Sequence, residues 1–203
     1  MKTRYNLGVA VLLCAATSAC SDEVANLATP AGPSLAVLPP ACVEFGPPPP
    51  AGTVWGSPVG HVPGQTVHVE NSIRVQVHVF QPFAAFNFAQ VQFPPVVFAN
   101  GQAANTNNIN LRFLFNNLGW TANKVYFSFL DQGGFENLGV NLSPYYIGNI
   151  AAAPAVVGGR NVAVASWAVP GGIAGNVRIW GGPIKDITVG GQEFWIDKVC
   201  AEP

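Results

Sequence analysis

The sequence predicts an all-β protein, an antiparallel sandwich of two sheets that is jelly-roll-like, and three observations support this prediction. About half of the residues are apolar (49%), whereas charged residues make up 9%. Phe, Val and Ile recur in short runs that are separated by residues typical of turns, and Gly and Pro are plentiful. No long amphipathic helix is visible. Short apolar runs between turns are typical of two sheets packed around one core, and the length suits a single domain.

The first nineteen residues indicate a secretion signal rather than part of the fold. Lys2 and Arg4 precede the apolar run LGVAVLLCAA, which is too short to predict a membrane span. The segment TSAC, which ends at Cys20, resembles a lipoprotein processing box, in which the cysteine becomes the lipidated first residue. A threonine stands where a leucine is usual, and ordinary secretion is the alternative. Ser21 resembles the pattern that leads to the outer membrane. We therefore expect a protein of the bacterial cell envelope, lipid-anchored or secreted.

The charge of the mature chain argues against nucleic acid as a partner. Removal of residues 1–19 deletes two basic residues and no acid, which leaves seven basic and ten acidic side chains, a formal charge of −3. No basic patch is present that would release counterions from a phosphate backbone. A membrane contact is expected through the lipid anchor alone.

Cysteine usage predicts one disulfide. Cys14 leaves with the signal and Cys20 would carry the lipid, so Cys42 and Cys200 remain. In an oxidising compartment such an even pair predicts a bridge. Metal binding is a poor alternative, because the sequence has no CxxC motif and no Cys/His cluster.

The mature chain divides into a tether and a domain. Residues 20–40 are rich in Ala, Pro, Ser and Gly, and the folded domain is expected over residues 41–203. The prolines at 47–50 lack backbone donors, so they predict an extended connector at the domain edge.

Alternating apolar residues place the strands. Residues 66–80 predict a hairpin that pairs Val69 with Ile73, which would turn the valines inward and the histidines outward. In INLRFLF the inward set is Ile109, Leu111, Phe113 and Phe115, and in KVYFSFL it is Val125, Phe127 and Phe129. Further runs are AAFNFAQVQF, NVAVASWAV, NVRIW, IKDITV and EFWIDKVC, so we expect nine to eleven strands.

The stretch FLDQGGFENLGVN, residues 129–141, allows three interpretations. A turn between two strands explains the glycines, which supply positive φ. Alternatively, Asp131, Glu136, Asn137 and Asn141 offer oxygen ligands for a structural calcium, although the spacing is not that of an EF-hand. A glycosidase pair would need two carboxylates at a defined separation in a cleft, which the turn does not supply. The turn is favoured.

The histidines do not predict a metal site. The hairpin register sets His68 opposite Arg74, and His78 lies four residues beyond Arg74, about 13 Å away. His61 has no predicted position. We therefore expect surface histidines, and the sequence contains no GxSxG, HExxH or P-loop motif that would predict catalysis.

Aromatic and amide side chains indicate glycan binding. Sugar rings stack on exposed aromatic faces, and parity within the strands turns Trp180 and Trp195 outward, while Trp120 lies beside a turn. In the run GQAANTNNIN, Asn107 and Asn108 would donate and accept hydrogen bonds; a plain loop is the alternative. These five residues are the candidate ligand-binding set, and core packing is the alternative for each tryptophan.

The ends of the chain carry a family resemblance. CVEFG near the start, FLDQGGFENLGVN, and GGQEFWIDKVCAE at the end together resemble a group of secreted bacterial β-sandwich domains of unsettled activity. Those domains are similar in outline to jelly-roll carbohydrate-binding modules. In many such modules acids of the first and last strands hold a structural calcium, and Glu44 and Asp197 are the counterparts here. No other cofactor is implied.

Three functions therefore stay open. The first is a non-catalytic envelope module that binds a glycan. The second is a structural or adhesive envelope lipoprotein without a small ligand, which a large apolar patch would favour. The third is a hydrolase, which would need a cleft with paired carboxylates.

Overall fold

The computed structural model describes residues 38–98 and 101–203, and it shows an all-β sandwich of two antiparallel sheets. The predicted signal peptide (1–19), the lipidation of Cys20 and all but the last residues of the tether (20–40) lie outside the described residues. Within the described ranges, no helix has the length and apolarity to span a membrane.

The described residues form nine strands in a larger sheet and six in a smaller one. The larger sheet contains β1 (Ala41–Val43), β2 (Val54–Gly56), β5 (Phe88–Gln92), β6 (Ala103–Asn107), β8 (Lys124–Asp131), β11 (Val156–Val157), β12 (Arg160–Val169), β13 (Gly172–Trp180) and β15 (Phe194–Glu202). The smaller sheet contains β3 (Thr66–Glu70), β4 (Ile73–His78), β7 (Ile109–Leu114), β9 (Glu136–Val140), β10 (Tyr146–Gly148) and β14 (Asp186–Gly191). Two short 3-10 helices span Ser57–Val59 and Ile150–Ala152.

The last two strands enter the middle of the sheets. The larger sheet has the order β11-β12-β13-β8-β15-β6-β5-β2, and the smaller has the order β10-β9-β14-β7-β4-β3. The first strand, β1, pairs with β15, and in this register Cys42 lies directly opposite Cys200. The predicted disulfide between these two cysteines is confirmed, with Cα atoms 4.0 Å apart. It joins the first and last strands of the domain.

The core confirms the alternation in the central strands. All seven residues of the two predicted inward sets, from INLRFLF and KVYFSFL, are at most 2% exposed. The strand number is larger than expected, fifteen rather than nine to eleven, because four edge or connecting strands have two or three residues each. These four strands are β1, β2, β10 and β11. A strand of two or three residues is too short to show an alternating pattern in the sequence.

The register of the predicted hairpin is wrong by one residue. Glu70, not Val69, pairs with Ile73, and Asn71 and Ser72 form a two-residue turn with φ of 46° and 67°. A slip of one residue exchanges the two faces of a strand. Val69 is therefore 56% exposed. Val67 still packs against the core, because the pairing is irregular between Thr66 and His68.

A loop covers part of the outer face of the larger sheet. Trp195 points away from the main core, as its parity predicts, but it is 4% exposed rather than solvent-facing. Val96 and Phe98, which follow β5, pack with it in a second, smaller cluster together with Leu130. Trp195 Nε1 donates to Gln132 Oε1 at 2.8 Å. The covering loop therefore corrects the expectation that this ring stacks on a ligand.

Candidate functional site

Two surface depressions lie at opposite ends of the central strands β8 and β15. The Trp120 cleft, of about 310 Å³, is lined by Phe115, Asn116, Trp120, Thr121, Ala122, Pro183, Ile184 and Lys185. The Asn107 depression, of about 380 Å³, is lined by Asn107, Asn108, Gly133, Gly134, Gln192 and Glu193. The first adjoins the start of β8 and the second its end, and eight residues of strand span about 23 Å. They are separate sites.

Backbone hydrogen bonds between two loops shape the Trp120 cleft. Phe115 N donates to Lys185 O at 2.9 Å, and Ile184 N donates to Ala122 O at 2.8 Å. The loop that follows β7 is thus tied to the segment that precedes β14. Trp120 packs against the main core with part of its surface and leaves the rest exposed. The indole is therefore held in place at the wall of the cleft.

The lining of the Trp120 cleft combines an aromatic ring with several kinds of polar group. Asn116, Thr121 and Lys185 are exposed and supply an amide, a hydroxyl and an ammonium group. Asn116 Oδ1 accepts from Arg74 Nη2 at 3.2 Å, and the amide nitrogen of Asn116 is a hydrogen-bond donor. An apolar wall with a few polar groups that converge on it is the usual composition of a small-ligand site.

Trp180 lies at the same end of the sandwich but does not line the cleft. It pairs with Lys124, the first residue of β8, and it is partly exposed. The Arg178 guanidinium lies 6.0 Å from the centre of the indole ring, which is a cation–π distance. Of the tryptophans, Trp167 is the most exposed at 45%, and it lies in register with Ala174 towards the other end.

The Asn107 depression brings together three stretches that are distant in sequence. The end of β6 supplies Asn107 and the residue after it is Asn108, the FLDQGGFENLGVN segment supplies Gly133 and Gly134, and the turn before β15 supplies Gln192. Gly134 has a φ of 96°, and a Cβ there would lie 2.7 Å from Gln192 Cβ. A glycine is therefore required for the close approach of these two segments.

Exposed phenylalanines stand beside the Asn107 depression. Phe135 is 48% exposed and exchanges hydrogen bonds with Gln192, a lining residue. Phe83 is 59% exposed, and its ring centre lies 6.4 Å from that of Phe135. The side chain of Asn137 holds the loop of Phe83 through two 2.8 Å bonds with the backbone of Gln81. No sequence pattern indicates that these two rings meet, because Phe83 belongs to no periodic run and lies far from Phe135 in sequence.

The acidic segment is a turn between two strands, as predicted, but the two strands belong to different sheets. β8 pairs with β13 and β15 in the larger sheet, whereas β9 pairs with β10 and β14 in the smaller one. Gly133 and Gly134 do adopt positive φ, 126° and 96°. The glycines thus carry the chain from one sheet to the other. Asn141, which ends the segment, donates to Pro183 O at 3.0 Å and accepts from Lys185 N at 2.7 Å.

Asp131 and Glu136 form a buried carboxyl pair at this corner. Asp131 is 4% exposed and Glu136 is fully buried. Gly133 N donates to Asp131 Oδ1 at 2.8 Å, and Ile150 N donates to Glu136 Oε2 at 2.9 Å. Desolvation and the charge of Asp131 raise the pKa of Glu136 to about 8, and desolvation also raises the pKa of Asp131. The pair therefore holds a proton near neutral pH.

That proton also accounts for a buried oxygen atom. Glu136 Oε1 is buried and has no donor beside it among the described residues. Two ionised carboxylates offer acceptors alone, whereas a protonated Glu136 donates to Asp131. Neither carboxyl lines either of the two depressions, and their residues are at most 4% exposed. Raised pKa values of this kind are common in catalytic carboxyl pairs, but these two carboxyl groups are buried.

The acids suggested for calcium do not gather into a metal site. Asp197 is 1% exposed, and desolvation, together with the nearby charges of Glu44 and Glu70, raises its pKa to about 7. Within residues 38–98 and 101–203, no group of three or more His, Cys, Asp or Glu side chains is placed to hold a metal ion. A structural calcium at Glu44 and Asp197, or at Asp131, stays a prediction that chelation would test.

His68 occupies another position than the predicted register gave it. His68 lies opposite Val75 rather than Arg74, because of the shifted register, and its ring stacks on Trp55 with centres 6.0 Å apart. His68 Nε2 lies 3.1 Å from Glu70 Oε2. His61 Nδ1 accepts from the backbone of Gly56 at 3.1 Å. His68 is therefore mainly a packing residue at the rim of the core.

Comparison with known proteins found no significant match to this chain among protein-family models, curated proteins or solved structures. The resemblance to secreted bacterial β-sandwich domains therefore stays an expectation from the quoted motifs. The function has to be inferred from the two ends of the sandwich.

Proposed function

We propose that this protein is a non-catalytic binding module of the bacterial cell envelope, and that the Trp120 cleft binds a glycan. One observation carries the proposal. A fixed, partly exposed indole stands in an open cleft beside an amide, a hydroxyl and an ammonium group, on Asn116, Thr121 and Lys185. These are the groups that a sugar ring needs, an aromatic face for its C–H surface and hydrogen-bonding partners for its hydroxyls.

The backbone around the cleft supports binding without a large rearrangement. The two bonds between its loops, at Phe115 and at Ile184, are formed between main-chain atoms and do not depend on a ligand. Phe115 and Ile184 themselves are at most 2% exposed, so the floor of the cleft is part of the core. A preformed site loses little conformational entropy when a ligand binds.

The buried state of Asp131 and Glu136 favours binding over hydrolysis. A general acid has to reach the glycosidic oxygen within hydrogen-bonding distance. Neither carboxyl is accessible, and neither depression contains two carboxyl groups. The carboxyl that lines the Asn107 depression belongs to Glu193. We therefore propose a structural rather than a catalytic role for Asp131 and Glu136.

One observation favours the second candidate, an adhesive surface. Phe83 and Phe135 expose adjacent rings at the end of the sandwich opposite to the Trp120 cleft. Adjacent exposed aromatic rings are typical of contact surfaces. This surface would contact a protein rather than a sugar, because no tryptophan or tyrosine lines the depression beside it.

A glycan array with the mature chain, residues 20–203, tests the proposal. We expect binding that Trp120→Ala weakens by about tenfold or more, because the loss of an aromatic contact of about 1.5 kcal/mol corresponds to that factor. Trp167→Ala is the matched control, since it removes another exposed indole at a distance from the cleft. Equal loss in both variants, or no binding by the unmodified chain, would contradict the proposal.

A further inference from the structure

We propose that the Trp120 cleft selects acidic glycans, with the carboxylate of a uronic acid as the group recognised; this rests on the proposed function. The described residues carry seven Lys and Arg side chains, and three of them line the cleft or bond to residues that do. The three are Arg74, Arg160 and Lys185. No carboxyl side chain lines the cleft.

Lys185 places an ammonium group in the cleft itself. Its side chain is exposed, while its backbone is held on both sides. Lys185 N donates to Asn141 Oδ1 at 2.7 Å, and its carbonyl accepts from Phe115 N at 2.9 Å. A flexible side chain on a fixed backbone can follow an anionic group across a limited area. Lys185 is therefore the residue expected to contact the ligand carboxylate.

Two arginines are fixed at the border of the cleft by hydrogen bonds to its lining residues. Arg74 Nη2 donates to Asn116 Oδ1 at 3.2 Å. Arg160 donates to Pro183 O through Nε and Nη2, at 3.2 and 3.0 Å. These bonds do not use the full donor set of either guanidinium. Both positive charges are thus held close to the cleft without being neutralised by their partners.

The charges around the cleft are not compensated by carboxylates. In the part of the chain that the structure describes, the ion pairs are His68–Glu70, Arg112–Asp186 and Lys124–Glu202, and none of them contains Arg74, Arg160 or Lys185. Asp186, which follows Lys185 in sequence, and Glu202, which lies opposite Lys124 at the start of β8, are therefore already paired. A ligand carboxylate would meet a positive field here, and a neutral sugar would gain nothing from it.

A carboxylate fits this arrangement better than a neutral hydroxyl because the donors are charged. Hydrogen bonds between an ammonium or guanidinium and a carboxylate are roughly twice as strong as those between neutral groups. The contribution is moderated by solvent at an open site, and it is screened by salt. We therefore expect an affinity difference of about fivefold to tenfold at low ionic strength, which decreases as salt is added.

The test compares polygalacturonate with the same polymer after its carboxyl groups have been reduced to alcohols. Affinity electrophoresis or calorimetry of residues 20–203 should give at least fivefold tighter binding of the acidic form at 20 mM salt. Lys185→Gln should remove most of this difference, because it should weaken the binding of the acidic polymer far more than the binding of the reduced polymer. Lys198→Gln is the matched control: it removes an exposed lysine away from the cleft and should preserve the difference.

The outcomes separate this inference from the proposed function. Equal affinity for both polymers overturns the acidic preference and leaves glycan binding in place. A preference that Lys185→Gln does not change also overturns it, because the charge would then act elsewhere. Binding of dextran sulfate but not of polygalacturonate would assign the cleft to sulfated sugars and reject the carboxylate. Failure to bind any of these polymers rejects the inference, while the glycan array judges the proposed function.

Discussion

The two ends of the sandwich are built on the same central strands but use their polar residues differently. At the end with the Asn107 depression, Asp131, Glu136 and Asn137 are buried and bonded within the fold. At the Trp120 end, Asn116, Thr121 and Lys185 are exposed beside a fixed indole. Polar groups whose bonds are satisfied internally hold the fold together. Polar groups that converge on an open cleft are available to a ligand.

The two ends also differ in whether their polar groups can be reached by a ligand. The acidic end has the raised pKa values that are often found at active sites, yet its carboxyls are out of reach. The Trp120 cleft, in contrast, is open, and its lining includes the exposed side chains of Asn116, Thr121 and Lys185. The segment FLDQGGFENLGVN, with the most suggestive composition in the chain, therefore serves as a corner, while the plainer NNLGWTANK contributes the proposed site.

The largest effect is expected from the disulfide, which lies nearer the Trp120 end because Cys200 pairs with Tyr126 in β8. The bridge closes a loop with a sequence separation of 158. Replacement of both cysteines by alanine should lower the free energy of unfolding by several kcal/mol, with about 5 kcal/mol as the upper value. Chemical denaturation measures the loss. A decrease in the free energy of unfolding of less than about 1 kcal/mol would show that the disulfide does not stabilise the folded state in this way.

Replacing one glycine at each end of the sandwich by alanine tests how tightly that end is packed. Gly134→Ala should destabilise the protein by about 1–3 kcal/mol, because the residue has positive φ and its new Cβ would meet Gln192. Gly119→Ala is the matched control at the Trp120 end. It also has positive φ, 74°, but open space around it, so its cost should be smaller. Thermal melts of both variants give the comparison, and equal losses would contradict it.

The buried acids make a prediction for the pH dependence of stability. The pKa of Glu136 rises from 4.5 to about 8 on folding, and that of Asp197 from 3.8 to about 7. The folded state therefore binds protons that the unfolded state releases, and stability should fall as the pH rises from about 4 to 8. Glu136→Gln should flatten this dependence, because an amide can donate to Asp131 at every pH. A melting temperature that rises across this range would refute the assignment.

The smallest effect is expected at the exposed rings. Phe135→Ser should change the free energy of unfolding by no more than about 0.5 kcal/mol, because the ring is 48% exposed and its hydrogen bonds with Gln192 come from the backbone. Glycan binding should be unchanged. Weaker binding to a sugar in this variant would move the ligand site to the Asn107 end.

The sequence predicted what depends on local periodicity. The alternation in β7 and β8 identified seven inward residues correctly, and elimination among the cysteines identified the bridge. The register of the first hairpin could not be predicted with certainty, because Asn71 and Ser72 both accept positive φ and allow a shorter turn. Because the register of β3 and β4 differs by one residue from the predicted one, His68 stacks on Trp55.

Other features depend on contacts that are distant in sequence. Parity assigned Trp195 to the outer face correctly, but nothing in the strand itself indicates that a loop with Phe98 covers it. A turn at Gly133 and Gly134 was predicted, but local turn chemistry does not reveal that β9 enters the other sheet. Of the predicted ligand set, Trp120 alone lines the cleft that we propose, and Lys185 came from the structure.

The central claim is that the ligand binds at the Trp120 end, and chemical-shift mapping by NMR tests it most directly. Residues 20–203, labelled with ¹⁵N, would be titrated with a glycan that the array identifies. The account predicts saturable shifts of the Trp120 indole N–H and of the amides of Asn116, Thr121 and Lys185, with little change at Gly133, Gly134 and Gln192. Shifts confined to the Asn107 depression, or to the exposed Phe83 and Phe135, would contradict it.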